Sequence, residues 1–263
     1  MATEQSLIPV KGSGWLSGLR NMLRKENGRW VGTHQWLTQS LIWLTLVNGI
    51  VALVLYIGFT QAGAPTTTDI LQLFFMLLGS FTPFGVVILT QSDVVGERQS
   101  GTAEWVLSAP LSREAFLLSK LAANSVWIFA TMVLLQGVAF NLILAVFGLP
   151  MVSALNMAAG LAVNCLHLLF WLTLTLMLGV AFHSRGPVLG IPIVFLILQD
   201  LVGQLASIYA PWLIPMMPKS LLLQGLQLAQ GSGVTSLVPI AAVAFLSVVF
   251  TAVALWRFRR EEF

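Results

Sequence analysis

The chain has 263 residues, 57% of them hydrophobic and 9% charged, with a mean hydropathy of +0.88. An ordinary soluble domain is about 45–50% apolar and about 25% charged, so the composition sets a water-soluble fold aside. The small excess of basic over acidic residues, 13 against 10, does not point to nucleic acid.

Ahead of the first long apolar run, Trp15, Leu16, Leu19, Met22 and Leu23 recur at helical spacing, while Arg20, Arg24 and Lys25 fall mostly off that stripe. The pattern predicts an interfacial amphipathic helix on the inner leaflet, against the plainer reading of a solvated basic arm. Charges then become sparse. None lies between Arg29 and Asp69, between Asp69 and Asp93, or between Lys120 and Arg185, and only Asp200 and Lys219 interrupt the stretch from Arg185 to Arg257.

About 20 apolar residues cross a bilayer once, and only full helices satisfy their own backbone there. The expected fold is therefore all-α and polytopic, with six spans near Gln35–Thr60, Ile70–Gln91, Arg113–Phe147, Ala154–Phe182, Pro187–Tyr209 and Ser236–Trp256. Ala62-Gly63-Ala64 mimics a signal-peptidase site, but the run before it has full spanning length and a long polar region precedes it. Gly148-Leu149-Pro150 and the stretch from His183 to Pro187 supply helix stops between spans. From Tyr209 to Thr235, Pro211, Pro215 and Pro218 precede Leu221-Leu222-Leu223. That segment is expected to form an external hairpin or a short helix dipping into the membrane, with a loose loop as the alternative. One domain results: an arm and interfacial helix over 1–34, six spans over 35–256 and a tail over 257–263.

With six spans both termini share a side, and Lys and Arg decide which side it is. Twelve of them fall on the terminal side and only Lys219 on the other, so both termini are expected in the cytoplasm and the chain in the cell membrane.

The cytoplasmic connection after the second span carries the most chemistry. Gly101-Thr102 can start a short helix presenting Trp105 with Val106 or Leu107 as an apolar knob, and Pro110 disrupts it within about two turns. Ser112 fits as N-cap of the third span with Glu114 in its first turn. An apolar knob in the cytoplasm needs a cover, and a partner protein is the natural one.

Here the sequence resembles the ABC-2 type permeases, the membrane subunits of ATP-binding-cassette exporters. The resemblance rests on Glu97, Gly101-Thr102, Glu104, Leu107, Pro110, Ser112-Arg113 and Lys120 in order and approximate spacing, and more loosely on the whole six-span outline. It implies that Gly101–Ala109 is a coupling helix docking on an ATPase, so that Glu97, Gly101, Thr102, Glu104, Trp105, Val106, Leu107 and Pro110 form the coupling site. It further implies two cytoplasmic ATPase subunits per complex, a second permease copy or paralogue, surrounding lipid, and export. None of the four lysines follows a glycine, so the phosphate-cradling Gly-Lys-Ser/Thr loop is missing from the chain. ATP and Mg are accordingly expected in the partner, with no cofactor bound by this chain and no catalytic role for it.

Cys165, the one cysteine, has no intrachain disulfide partner and reads as a small packed residue. His167 with Asn164, and Asn48, Asn124, Gln136, Asn141 and Asn156, read as hydrogen-bonding glue between helices rather than as a metal or proton site. Asp200, accompanied by Gln199 and Gln204, lies deep in the fifth span, where an acid is costly and marks either a substrate path or a pair with Lys219 or a neighbouring subunit. Asp200 and Gln204 are thus the candidate path residues. Two other functions stay in view. A membrane-embedded enzyme would need converging His, Asp, Glu or Cys, and an ion-coupled carrier or channel would show broken helices about a midplane site.

Overall fold

The computed structural model describes residues 14–63, 65–102 and 111–260. Six helices within them are long and apolar enough to cross a membrane: Gln35–Gln61, Thr67–Gln99, Arg113–Val146, Ala154–Ala181, Arg185–Tyr209 and Val238–Arg259. They match the six predicted spans, with ends moved by local chemistry. The second begins three residues earlier than expected because Thr66 and Asp69 form a capping box, Thr66 Oγ1 accepting from the Asp69 amide at 3.2 Å while Asp69 Oδ2 accepts from the Thr66 amide at 3.2 Å. Its regular turns run to Thr90, and a short helix, Val95–Gln99, follows. Ser112 caps the third span as expected, its Oγ accepting from the Ala115 amide at 3.1 Å with Glu114 in the first turn. That span stops where Gly148 turns left-handed at φ 71°.

The fourth span is the hub. Against it pack the sixth, the second and the fifth spans, together with a short helix, Ser220–Ala229. That short helix occupies the expected hairpin region, preceded by a 3₁₀ turn at Pro211–Met216 whose prolines bar a longer helix. Leu221, Gln224, Gly225 and Ala229 form its buried side. Two glycines set the approach of the two backbones: a Cβ on Gly160 would lie 2.5 Å from the carbonyl oxygen of Gly225 and 2.8 Å from Phe75 Cζ. Backbone cannot yield there as a side-chain tip could, so Gly160→Ala is expected to destabilise the chain by about 1–3 kcal/mol through overpacking. Chemical unfolding of the purified chain in nanodiscs checks this, and a loss within error would mean that the helix seats more loosely.

His167 fixes the other end of the same helix. Its Nδ1 donates to the Pro218 carbonyl at 2.9 Å and its Nε2 accepts from Trp171 Nε1 at 3.2 Å, so a neutral ring satisfies both nitrogens. Asn48 and Gln136 bridge the first and third spans. Asn141 instead holds the turn after the third span, accepting from the Val152 amide at 2.9 Å.

The N-terminal amphipathic helix, Leu19–Gly32, differs from expectation in what it covers. Its buried residues are Met22, Glu26 and Trp30, and it packs against the first half of the third span. Trp15 and Leu16 precede it and are exposed, Leu19 and Leu23 are half-buried, and Arg20 and Arg24 point to solvent. Protein therefore claims one face of this helix, because Glu26, one turn beyond Met22, finds a buried cation there.

Candidate functional site

Three elements meet at one end of the bundle: the amphipathic helix, the segment after the regular turns of the second span, and the first half of the third span. Each contributes polar groups at helical spacing: Glu26 with Arg29 and Trp30, Asp93 with Glu97, and Lys120 with Asn124 and Trp127. Lys120 is fully buried, and its Nζ donates to Glu26 Oε1 and to Glu97 Oε1, both at 2.9 Å. Lys25 Nζ reaches the same Glu97 oxygen at 3.0 Å.

A second knot lies one turn away. Arg29 Nη1 donates to Asp93 Oδ1 at 2.8 Å and its Nη2 to Asn124 Oδ1 at 3.2 Å. Asn124 Oδ1 also accepts from Trp30 Nε1 at 3.0 Å, while its Nδ2 donates to Asp93 Oδ2 at 2.5 Å. Burial opposes the charge on Arg29, but Asp93 foremost, then Glu26 and Glu97, hold its pKa above the ordinary value. Trp30 and Trp127 stack with centroids 6.0 Å apart, and Trp127 Nε1 donates to Asn27 Oδ1 at 2.8 Å. Opposite charges thus balance within one cluster whose centre, Glu26, Asp93 and Lys120, is buried while Lys25 and Arg29 reach solvent at its rim. Such a cluster resists separation of its elements, since a lone charge left behind would be buried without a partner.

The connection that follows is pinned at both ends. On entry, Glu97 is held as described, Arg98 Nη1 donates to the Phe182 carbonyl at 3.2 Å, and Gln99 Nε2 donates to the His183 carbonyl at 3.1 Å. With Arg257 Nη2 on the Ala181 carbonyl at 3.0 Å, these groups satisfy orphan carbonyls where the fourth span ends, and the arginines also complement its dipole. Gly101 is left-handed at φ 69°, and Ser100 and Thr102 share a hydroxyl contact at 2.7 Å. On exit, the Ser112 amide donates to the Ser17 carbonyl at 3.0 Å and Ser112 Oγ donates to the Trp15 carbonyl at 2.5 Å. Arg113 Nη1 then donates to the Phe258 and Arg259 carbonyls at 3.2 and 2.9 Å, capping the sixth span.

Of the expected coupling residues, Glu97, Gly101 and Thr102 stand at this junction, whereas Glu104, Trp105, Val106, Leu107 and Pro110 lie outside the described residues. Asp200 and Gln204 sit elsewhere, on the exposed side of the fifth span. With Gln199, Ser207, Met217 and Lys219 they line a cavity of about 550 Å³. Asp200 and Lys219 form an ion pair, and the buried Gln199 Oε1 has no hydrogen-bond partner. Among the described residues no group of three His, Cys, Asp or Glu is placed to hold a metal ion. Sequence reasoning counted Arg29 only as a cytoplasmic charge, used Lys120 as a charge and as part of the family resemblance without naming a partner for it, and gave Glu26 and Asp93 no role. The available signal was Lys120 itself, seven residues inside a span, where an ionisable group calls for a named partner.

Residues 37–263 match the family model described as "Protein of unknown function (DUF2705)". The chain is also 28% identical, over 267 aligned residues, to a protein of Pseudomonas aeruginosa described as "Probable ABC transporter permease protein NosY", a match that covers 91% of this chain and 89% of that one.

Proposed function

This chain belongs to the DUF2705 family of proteins of unknown function, and from that premise we propose that it is the permease subunit of an ABC-2 type transporter. In this reading two permease copies, or one copy and a paralogue, stand on two cytoplasmic ATPase subunits that bind ATP and Mg. The connection over residues 101–110 is the coupling segment, and cargo leaves the cell. The observation that carries the proposal is the double anchoring of that connection: its entry is tied through Glu97 to Lys120 and its exit through Ser112 to the N-terminal arm. A push on it would be delivered to the third span, the amphipathic helix and the end of the fourth span together. Similarity to a protein named as a probable ABC permease supports the same reading.

The cavity beside the fifth span is proposed as part of the path, with Asp200 and Gln204 facing cargo between the two copies. Asp200→Asn is then expected to alter transport-linked ATPase activity more than expression, and an equal loss of both would make the residue structural. The proposal as a whole is tested by copurification in mild detergent with a co-expressed ABC ATPase. A stable complex in which this chain alters ATP turnover is expected, and no complex under any nucleotide condition would overturn it.

The same reading places both termini in the cytoplasm. In a Cys165→Ser background, single cysteines at Ser6 and Glu262 are expected to be shielded from a membrane-impermeant thiol reagent in intact cells, while one at Thr67 is labelled. The reverse pattern would invert the orientation.

A further inference from the structure

Two spans lose the regular α ladder at the same place. The first span contains a π-helical turn at Leu44–Gly49 and the third contains one at Phe129–Leu134. A π turn closes five residues back instead of four, which widens the helix and weakens its ladder, so it persists only where neighbours support it. Here the support is a buried amide bridge. Gln136 Nε2 donates at 2.8 Å to the carbonyl of Thr131, inside the π turn of its own span. Gln136 Oε1 accepts at 2.7 Å from Asn48 Nδ2, inside the π turn of the other. Asn48 Nδ2 also lies 3.3 Å from the Gln136 carbonyl. Both side chains are buried, and Asn48 Oδ1 has no hydrogen-bond partner.

The location of the bridge gives it a purpose. Below it, the third span is α-helical from Arg113 to Ile128 and is locked to the amphipathic helix by Lys120, Asn124 and the stack of Trp127 on Trp30. The π turn begins at Phe129, the next residue. In the first span, only the nine α-helical residues Gln35–Trp43 separate the π turn from the His34 turn after the amphipathic helix. A rigid cytoplasmic block therefore ends, in both spans, at a weakened turn. The unmet Asn48 oxygen leaves the bridge room for a second hydrogen-bonded arrangement.

We infer that the paired π turns are a hinge on which the cytoplasmic block rocks against the outer halves of the first and third spans, with Asn48 and Gln136 as the positioning residues that move the two turns together. The inference rests on the permease reading for the force that drives it, while the hinge itself belongs to this chain. Discrete rearrangement at a few residues between rigid segments is how such closures are absorbed elsewhere.

The test uses the full chain alone in nanodiscs, in a Cys165→Ser background. Spin labels at Ala122 and Leu142, both exposed, bracket the π turn of the third span, twenty residues or about 30 Å apart along a helix. Labels at Ala241 and Trp256 on the sixth span, which is α-helical from Val238 to Arg259, serve as the reference. Pulsed dipolar spectroscopy is expected to give a distance distribution at least about twofold wider for the third span than for the sixth. Asn48→Leu and Gln136→Leu should each change the third-span distribution, Gln136→Leu the more because it also removes the bond to the Thr131 carbonyl, and the double variant should match Gln136→Leu, since the bridge can be broken only once. A third-span distribution as narrow as the reference and unmoved in all three variants would overturn the hinge. Should the double variant not fold, hydrogen exchange on the unsubstituted chain decides. Amides of residues 131–134 exchanging about tenfold or more faster than those of 121–128 support the hinge, and equal protection sinks it. Failure to bind an ATPase would sink the permease reading and leave these distances untouched.

Discussion

Lys120→Met is expected to destabilise the chain by about 3–5 kcal/mol, the cost of breaking a buried ion pair from one side. Methionine fills much of the same volume, so the loss is one of charge. Glu26, 2% exposed in its side chain, would have no cation at 2.9 Å, and Arg29, at 3.8 Å from its other oxygen, is already committed to Asp93. Glu97 would suffer less, because it is 20% exposed and keeps Lys25 at 3.0 Å. The asymmetry makes a second expectation. Adding Glu26→Gln to Lys120→Met removes the stranded charge and should restore part of the loss, with a coupling of about 0.5–3 kcal/mol in a double-mutant cycle. Adding Glu97→Gln should restore less. Denaturant unfolding of the chain in nanodiscs measures the wild type, the three single variants and the two double variants. A loss of under about 1 kcal/mol for Lys120→Met, the size of an exposed pair, would mean that water reaches the cluster and that it does not lock the three elements.

That cluster also marks where sequence reasoning stopped. The six spans were legible because a bilayer leaves the chain no choice: each apolar run must satisfy its own backbone, and a helix of known length is the way to do it. The N-cap at Ser112 and the prolines before Ser220 were legible for a similarly local reason. Contacts between Lys120 and Glu26, 94 positions apart, have no local signature. The amphipathic stripe beginning at Trp15 showed that a helix has an apolar side but not whether lipid or protein covers it. Glu26, falling on that stripe with Met22 and Trp30, was the sign of protein, since an acid facing acyl chains would be unpaired. The close approach of Gly160 and Gly225 was equally hidden, because a missing side chain leaves no trace in a hydrophobic pattern. The π turns at Leu44–Gly49 and Phe129–Leu134 lie in sequences that read as ordinary helix, and the bond between Asn48 and Gln136 that joins them has no local signature either.

Trp105→Ala is expected to weaken association with the ATPase by about 2–4 kcal/mol, roughly 30- to 1,000-fold in Kd, if its indole fills the partner's groove as an interface anchor. Trp105 lies between a pinned entry at Glu97–Gln99 and a pinned exit at Ser112, so both anchors should survive the substitution and the spans should unfold at an unchanged denaturant midpoint. Leu107→Ala should act in the same direction with a smaller effect, since it removes a smaller side chain. Glu104 would orient the docked segment by polar contact instead of holding it, so Glu104→Gln should leave the complex assembled while reducing the transport obtained per ATP hydrolysed. Glu97 is different, because it belongs to the buried cluster as well: Glu97→Gln should lower both stability and coupling. The measurements are ATPase copurification, denaturant unfolding of the permease alone, and ATP turnover of the reconstituted complex. If Trp105, Leu107 and Glu104 are substituted together and both copurification and turnover stay at wild-type values, residues 101–110 do not contact the motor. The anchoring around them would then serve only to hold the neighbouring ends of the spans together.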